Sequence, residues 1–100
     1  MRLFGFVYIL TNQRNGTLYI GVTRDLAQRL AEHRADVDPD SFVSRYGLYT
    51  LVWFERHDLL VNAIAREKRL KRWKREWKIE LIEANNPRWE NIELDWMDFE

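Results

Sequence analysis

The feature that most constrains the fold is a pair of strand-like segments on either side of Asn15-Gly16. The segments "FVYIL" and "TLYIGVT" are rich in aromatic and β-branched residues. Asn-Gly between two such segments is a strong signal for a β-hairpin, because both residues tolerate the positive φ that a tight turn needs. We therefore predict two antiparallel strands, over residues 3–10 and 17–23.

A two-residue turn at this point also predicts the register of the hairpin. Leu10 would lie opposite Gly21 and Tyr8 opposite Thr23, so that Tyr8 and Tyr19 share one face of the sheet, with a gap at Gly21. The tyrosines could be half-buried packing residues with wet hydroxyls or groups that meet a substrate. The other face is aliphatic and is predicted to be the main core face: Leu3, Val7, Ile9, Leu18, Ile20 and Val22.

The remaining elements complete the order β-β-α-β-α-α. Asp25 with Gln28 predicts a capped helix that ends near Ala35, and residues 42–46 predict a short helical turn before Gly47. Residues 48–55 predict a third strand, and Asp58 can cap the helix that follows it. The segment "EWKIELIEAN" continues or restarts that helix. The expected fold class is α/β (α+β), with a small, mainly antiparallel sheet.

Composition narrows the kind of protein further. The 100 residues, of which 46% are hydrophobic, predict a single domain over 1–100 with a core over about 4–86. An acidic, tryptophan-containing tail, 87–100, is predicted to pack on the body. The lack of cysteine excludes disulfides, thiolate catalysis and cysteine-bound zinc. Without a recognisable signal peptide or an apolar run of about 20 residues, we expect a soluble, cytoplasmic protein with no membrane partner.

The net charge of zero hides a strong charge asymmetry. Residues 66–78 hold eight basic and two acidic residues, a net of +6, whereas residues 79–100 hold one basic and seven acidic residues. The basic segment could bind phosphates, or the acidic tail could neutralise it. Its candidate nucleic-acid-binding residues are Arg66, Lys68, Arg69, Lys71, Arg72, Lys74, Arg75 and Lys78.

Three further side chains could take part in chemistry. Arg29 and His33 are four residues apart and share one face of the first helix. Glu67 falls on the apolar stripe of the second long helix, between Ala63 and Leu70, where a carboxylate is costly unless it is paired. It could form a structural salt bridge with Arg29, or it could bind a hard divalent cation such as Mg²⁺. A phenol, a guanidinium and one carboxylate suit phosphodiester hydrolysis with a single metal ion.

These residues resemble the GIY-YIG nuclease family, in particular its small stand-alone members. The second motif is intact as Tyr19-Ile20-Gly21, whereas Phe6-Val7-Tyr8 replaces Gly-Ile-Tyr and keeps its tyrosine. The spacing of the two tyrosines also resembles the family pattern. The other matching positions are Arg29, His33, Glu67 and, for a late asparagine, Asn86 or else Asn85, although helix termination alone also explains both asparagines.

The resemblance implies a three-stranded antiparallel sheet flanked by helices and metal-dependent cleavage of DNA. Tyr8 would be the general base, oriented by His33, and Tyr19 would help to hold the water or the phosphate. Arg29 would bind the scissile phosphate, and Glu67 would hold one Mg²⁺ or Mn²⁺ ion. Phe6, in place of glycine, could narrow the site.

The resulting hypothesis is a structure-directed DNA endonuclease of low sequence specificity, acting in repair or recombination. It could act on branched, nicked or damaged DNA and rely on a protein partner for targeting. One alternative is a non-catalytic nucleic-acid-binding module that uses the basic helix 66–78. Another is a protein-interaction module that docks through Trp89, Trp96, Met97 and Phe99.

Overall fold

A three-stranded antiparallel sheet lies at the centre of the chain in a computed structural model that describes residues 3–35 and 40–94. Strand β1 (Gly5–Thr11) lies between β2 (Leu18–Thr23) and β3 (Thr50–His57). The observed order is β-β-α-α-β-α-α, which adds to β-β-α-β-α-α only the short helical turn predicted over residues 42–46. This order and the antiparallel sheet confirm the predicted fold class. The helices are α1 (Leu26–Arg34), α2 (Phe42–Tyr46), α3 (Leu60–Arg72) and α4 (Arg75–Asn85).

The register of the hairpin differs from the prediction by two residues. Tyr8 lies opposite Gly21 and Leu10 lies opposite Tyr19. The predicted pairing of Tyr8 with Thr23 is therefore wrong. A shift of two residues keeps every side chain on its face, so Tyr8 and Tyr19 still share one side of the sheet.

The cause of the shift is a loop longer than the predicted two-residue turn. The Asn12 side chain accepts a hydrogen bond from the Thr17 amide at 3.1 Å, and the Gly16 amide donates to the Gln13 carbonyl at 2.9 Å. Asn15 has a φ of 58°, the left-handed conformation that asparagine tolerates. These side-chain and backbone bonds stabilise a loop over residues 12–17 in place of a tight turn.

Both faces of the sheet are packed, whereas the sequence predicted the aliphatic face as the main core. Every residue of β1 is buried, since helices cover the central strand from both sides. Helices α3 and α4 cover the aliphatic face, where the buried residues are Val7, Ile9, Ile20, Val52, Trp53, Ala63, Leu70, Ile82 and Trp89. Helices α1 and α2 cover the tyrosine face, where they are Phe6, Tyr8, Leu10, Leu26, Leu30, Val43, Leu48 and Leu51.

The two predicted helix caps have different outcomes. Asp25 caps α1 and accepts a hydrogen bond from the Gln28 amide at 3.0 Å, as predicted. Asp58 does not cap α3, because its carboxylate instead binds Arg56 at 2.6 Å and the capping residue is Leu59, without a side-chain bond. Helix α4 is a separate helix, because the backbone is extended at the junction after α3.

The segment after α4 is tied to the sheet. The Asn86 side chain donates to the Val52 carbonyl at 3.1 Å, and the Ile92 amide donates to the Leu51 carbonyl at 2.8 Å. Trp89 is buried in the core, so it is not available for the alternative docking surface. The other members of that surface, Trp96, Met97 and Phe99, lie outside the described residues. Within residues 3–35 and 40–94, no helix is both long and apolar enough to cross a membrane.

We expect Gly47→Ala to lower the free energy of unfolding by about 1–2 kcal/mol. Gly47 ends α2 with a φ of 63°, and a Cβ there would meet nothing within 4 Å, so the cost is conformational. Gly47→Asn should lose less, because asparagine tolerates this conformation. Urea denaturation measures both variants, and equal stability of Gly47→Ala and the wild type would contradict this account.

Candidate active site

Two tyrosines and a histidine meet on one face of the sheet. The ring centroids of Tyr8 and Tyr19 are 6.1 Å apart, and His33 lies 6.3 Å from the first and 6.0 Å from the second. The Tyr8 hydroxyl is 3.3 Å from His33 Nε2. Leu26 and Leu30 are buried against the same face, and they hold α1 so that its flank brings His33 over the tyrosines.

Gly21 makes room for Tyr8 and does not leave an open gap. A Cβ at Gly21 would lie 2.5 Å from both Cζ and Oη of Tyr8, and 2.9 Å from Cε2 of Tyr19. The prediction of a gap at Gly21 is therefore wrong. The phenol of Tyr8 fills the space, because the two residues are direct cross-strand partners. Gly21 contributes to the site by allowing the tyrosine to pack there.

The environment keeps the Tyr8 phenol protonated. Burial raises the pKa of Tyr8 far above its ordinary value, and the neighbouring Tyr19 raises it further, while Arg29 lowers it by less. At neutral pH the hydroxyl of Tyr8 is therefore a hydrogen-bond donor. His33 Nε2 accepts this bond in the tautomer that carries the imidazole proton on Nδ1.

The pKa of His33 is shifted in the opposite direction, below its ordinary value. Burial lowers the pKa of His33, the positive charge of Arg29 lowers it further, and Glu32 partly opposes both. The imidazole is thus neutral near pH 7 and can accept the Tyr8 proton. Tyr8 and His33 thus form a neutral pair, in which burial raises the pKa of the phenol and lowers that of the imidazole.

Arg29 is the accessible cation of this cluster. Its side chain is 42% exposed and lies 3.5 Å from Glu32, an exposed pairing that costs little to break. Arg29 does not pair with Glu67; the structural salt bridge that was one alternative for Glu67 forms with Lys71 instead. It lines a depression of about 270 Å³ where β2 leads into α1, together with Thr23, Arg24, Asp25, Gln28 and Glu32.

Glu67 is bonded within its own helix and not to the cluster. Its side chain is 13% exposed and binds Lys71 at 2.9 Å, one turn further along α3. No hydrogen bond or ion pair joins Glu67 to the tyrosines, Arg29 or His33, all of which belong to the described part of the chain. Helix α3 packs on the aliphatic face and also contacts β2, the edge strand that contains Tyr19.

The basic segment is only partly free to bind a polyanion. Arg66 binds Glu55 at 3.0 Å and lies over the rings of Trp53 and Trp73. Arg75 donates to the hairpin loop. Lys71 pairs with Glu67, Lys78 reaches the Lys71 carbonyl, and Lys74 lies over Trp77. Within residues 3–35 and 40–94, the cations that are exposed and have no bonding partner in this segment are Lys68, Arg69 and Arg72.

Neither candidate asparagine contacts the cluster. Asn86 binds Val52 and Glu90 through its amide group, which explains it as a structural link. Asn85 ends α4 and is exposed.

Sequence reasoning missed two neighbours of the site. Glu32 pairs with Arg29 at i+3, which the helical spacing could have indicated. Phe42 of α2 lies 6.3 Å from the Tyr19 ring, a long-range contact without a local sequence signal.

The comparisons identify the family. Residues 4–80 match the model of the GIY-YIG catalytic domain. The chain belongs to the GIY-YIG family. This is a nuclease family whose members act on DNA and generally depend on a divalent metal ion. The match ends before Asn85 and Asn86, the two asparagines considered for the site.

A solved structure supports the fold assignment. The chain is similar to the UPF0213 protein BH0048 from Bacillus halodurans, determined by solution NMR, with a TM-score of 0.55 and 23% sequence identity. The similarity covers 95% of this chain and 99% of that protein. No curated protein sequence matches the chain.

We expect Gly21→Ala to destabilise the fold by roughly 1–3 kcal/mol, because the new methyl group overlaps Tyr8 and Tyr19. In a Tyr8→Phe background the cost should be smaller, since one of the two closest atoms, Tyr8 Oη, is absent. Urea denaturation of the two single variants and the double variant measures this coupling. A cost that is unchanged by Tyr8→Phe would contradict the packing account.

We expect acid to weaken the fold through His33. Its pKa is lowered in the folded state from an ordinary value of about 6.5. The stability linked to neutral His33 is therefore present above pH 6.5 and lost as the pH falls through the folded-state pKa. We expect the free energy of unfolding to fall less between pH 7.5 and pH 5 in His33→Gln than in the wild type, as urea denaturation at both pH values would measure. The control variant His57→Gln should retain the part of the decrease in unfolding free energy that His33 causes.

Proposed function

We propose that this chain is a metal-dependent endonuclease that hydrolyses DNA phosphodiester bonds at the cluster of Tyr8, Tyr19, Arg29 and His33. The observation that carries this proposal is the neutral Tyr8–His33 pair, with its 3.3 Å contact, beside the half-exposed Arg29. Together these groups can move a proton and hold an anion, as hydrolysis of a phosphodiester requires.

The proton transfer differs from the roles that the family resemblance implied. A buried phenol with a raised pKa is a poor base by itself. Its oxygen can accept the proton of the attacking water while its own proton passes to His33 Nε2. The pair then acts as the general base. His33, neutral before the reaction, takes up the Tyr8 proton and becomes positively charged. Tyr8 is closed to solvent, so in this proposal the site opens before water and phosphate reach its hydroxyl.

Arg29 and Tyr19 bind the phosphate in this proposal. Arg29 can leave its exposed partner Glu32 at little cost and offer two parallel N–H groups to the phosphate oxygens. Tyr19 is a partly exposed residue, and its hydroxyl supplies a further donor. Both contacts strengthen as negative charge builds up in the transition state.

Glu67 would hold the metal ion. Within residues 3–35 and 40–94, no group of three or more His, Cys, Asp or Glu residues could hold a metal. One carboxylate nevertheless fits Mg²⁺ or Mn²⁺ of the kind that keeps several waters and shares substrate phosphates. Its partner Lys71 is 55% exposed and can move aside. When bound, such an ion screens the charge of the leaving oxygen.

The exposed cations suggest how DNA is recognised. Lys68, Arg69 and Arg72 can contact backbone phosphates, which position DNA without reading its sequence. We therefore propose low sequence specificity, with selection by DNA structure at branches, nicks or damage and with a protein partner for targeting. A role in repair or recombination is consistent with such substrates.

Cleavage of hairpin, flap and junction DNA with Mg²⁺ or Mn²⁺ tests this function. We expect Tyr8→Phe to lower the rate about 10²- to 10⁴-fold, and Arg29→Ala about 10²- to 10³-fold. Glu67→Ala should lose metal-dependent cleavage. Val61→Ala, which changes a 66% exposed residue of the same helix, should retain wild-type activity. Equal product from the wild type and Glu67→Ala would refute the mechanism.

Two observations favour the alternative of a binding module without turnover. Tyr8 is closed to solvent and Glu67 is paired with Lys71. In that case binding would fall steeply with salt and survive both Tyr8→Phe and Glu67→Ala, and no metal would support cleavage.

A further inference from the structure

An exposed aromatic groove lies where α3 meets α4, outside the cluster described above. It has a volume of about 440 Å³ and is lined by Trp73, Trp77, Glu80 and Leu81. The side of α4 that forms it presents Trp77, which is 47% exposed. The volume falls within the range of roughly 300–1,000 Å³ that is usual for sites of small organic groups.

The two tryptophans differ in how firmly they are held. Trp73 packs against the core, and the Arg66 guanidinium lies 5.4 Å from its ring centroid. Trp77 meets Trp73 edge to face, with an interplanar angle of 85° and 6.2 Å between ring centroids. The partly buried Trp73 therefore supports the exposed Trp77, which offers an aromatic surface at the groove.

The charges around the groove suit a nucleotide. Lys74 lies 5.5 Å from the Trp77 ring centroid, and Arg69 and Arg72 are exposed on the neighbouring helix. The exposed acids Glu76 and Glu80 lie on α4, and Glu80 lines the groove itself. A phosphate would be repelled by Glu80 and attracted to the lysine side, whereas a base could donate a hydrogen bond to the carboxylate.

We propose that this groove binds an unpaired nucleobase of single-stranded DNA, stacked on Trp77, with the adjoining backbone phosphate at Lys74. The inference rests on the proposed DNA substrate and specifies its class, a duplex joined to a single strand. Stacking on tryptophan next to cations is the usual way in which proteins bind single strands without reading their sequence.

Hydrogen bonds attach α4, which forms the groove, to the hairpin loop. Arg75, at the start of α4, donates to the carbonyls of Asn15 and Gly16 in the hairpin loop at 2.7 and 2.6 Å. Tyr19 follows Gly16 by three residues, about 10 Å along an extended chain. The helix that forms the groove is thus attached to the hairpin whose second strand contains Tyr19.

A second copy of this chain is a poorer occupant of the groove. A tryptophan side chain offers at most about 250 Å², whereas a stable interface covers about 800 Å² on each partner. The cations around the groove would also repel the same cations of a second copy.

Binding in the presence of EDTA tests this inference apart from catalysis. Fluorescence anisotropy would compare a labelled duplex that has a single-stranded overhang with the same duplex made blunt. Trp77→Ala should weaken binding of the overhang DNA about 5- to 150-fold and leave the blunt duplex unchanged. Trp77→Phe should keep most of the affinity, and Val61→Ala should match the wild type on both DNAs.

Other results would overturn the inference. If Trp77→Ala lost affinity equally for both DNAs, or for neither, the proposal of a base stacked on Trp77 would be wrong. A Trp77→Ala variant that dissociates a wild-type dimer in sedimentation would assign the groove to self-association. Absence of cleavage with every metal would refute the proposed nuclease function but leave the difference between overhang and blunt DNA intact, so the two failures are distinguishable.

Discussion

The burial of β1 between two strands and two helical layers is the constraint on which the rest of the structure depends. Each residue of this strand is buried, so its odd and even positions each face a separate core. Val7 and Ile9 hold α3 and α4, while Tyr8 and Leu10 face α1 and α2. Tyr8 is thus a core residue. Its hydroxyl is the polar group on this face of β1, and it lies 3.3 Å from His33 Nε2.

This burial also determines the chemistry of the candidate site. Loss of solvent disfavours the charged form of each group, so the pKa of the phenol rises and that of the imidazole falls. Arg29 partly offsets the first change and reinforces the second. Titratable groups whose pKa values are pushed in opposite directions are a common sign of an acid–base site. In this molecule the same packing that stabilises the sheet prepares the pair.

Sequence reasoning predicted the fold class and the shared face of Tyr8 and Tyr19, because side-chain alternation and the Asn15-Gly16 signal are local. It did not predict the register, because Asn12 and Gln13 bond within the loop and lengthen it. A shift by two residues left the faces unchanged. Asp58 failed as a cap for a similar reason, since a nearby arginine competes for its carboxylate.

The sequence by itself determined the element order, the family motifs and the residue types that the site can use, since these follow from local patterns. Only the tertiary structure decided which of those residues meet. It placed the Tyr8 ring over Gly21, joined Tyr8 to His33, and left Glu67 on the helix that covers the opposite face. It also showed that several cations of the basic segment are occupied by internal partners. Such contacts depend on loop length and on competition between distant groups, which a local pattern does not record.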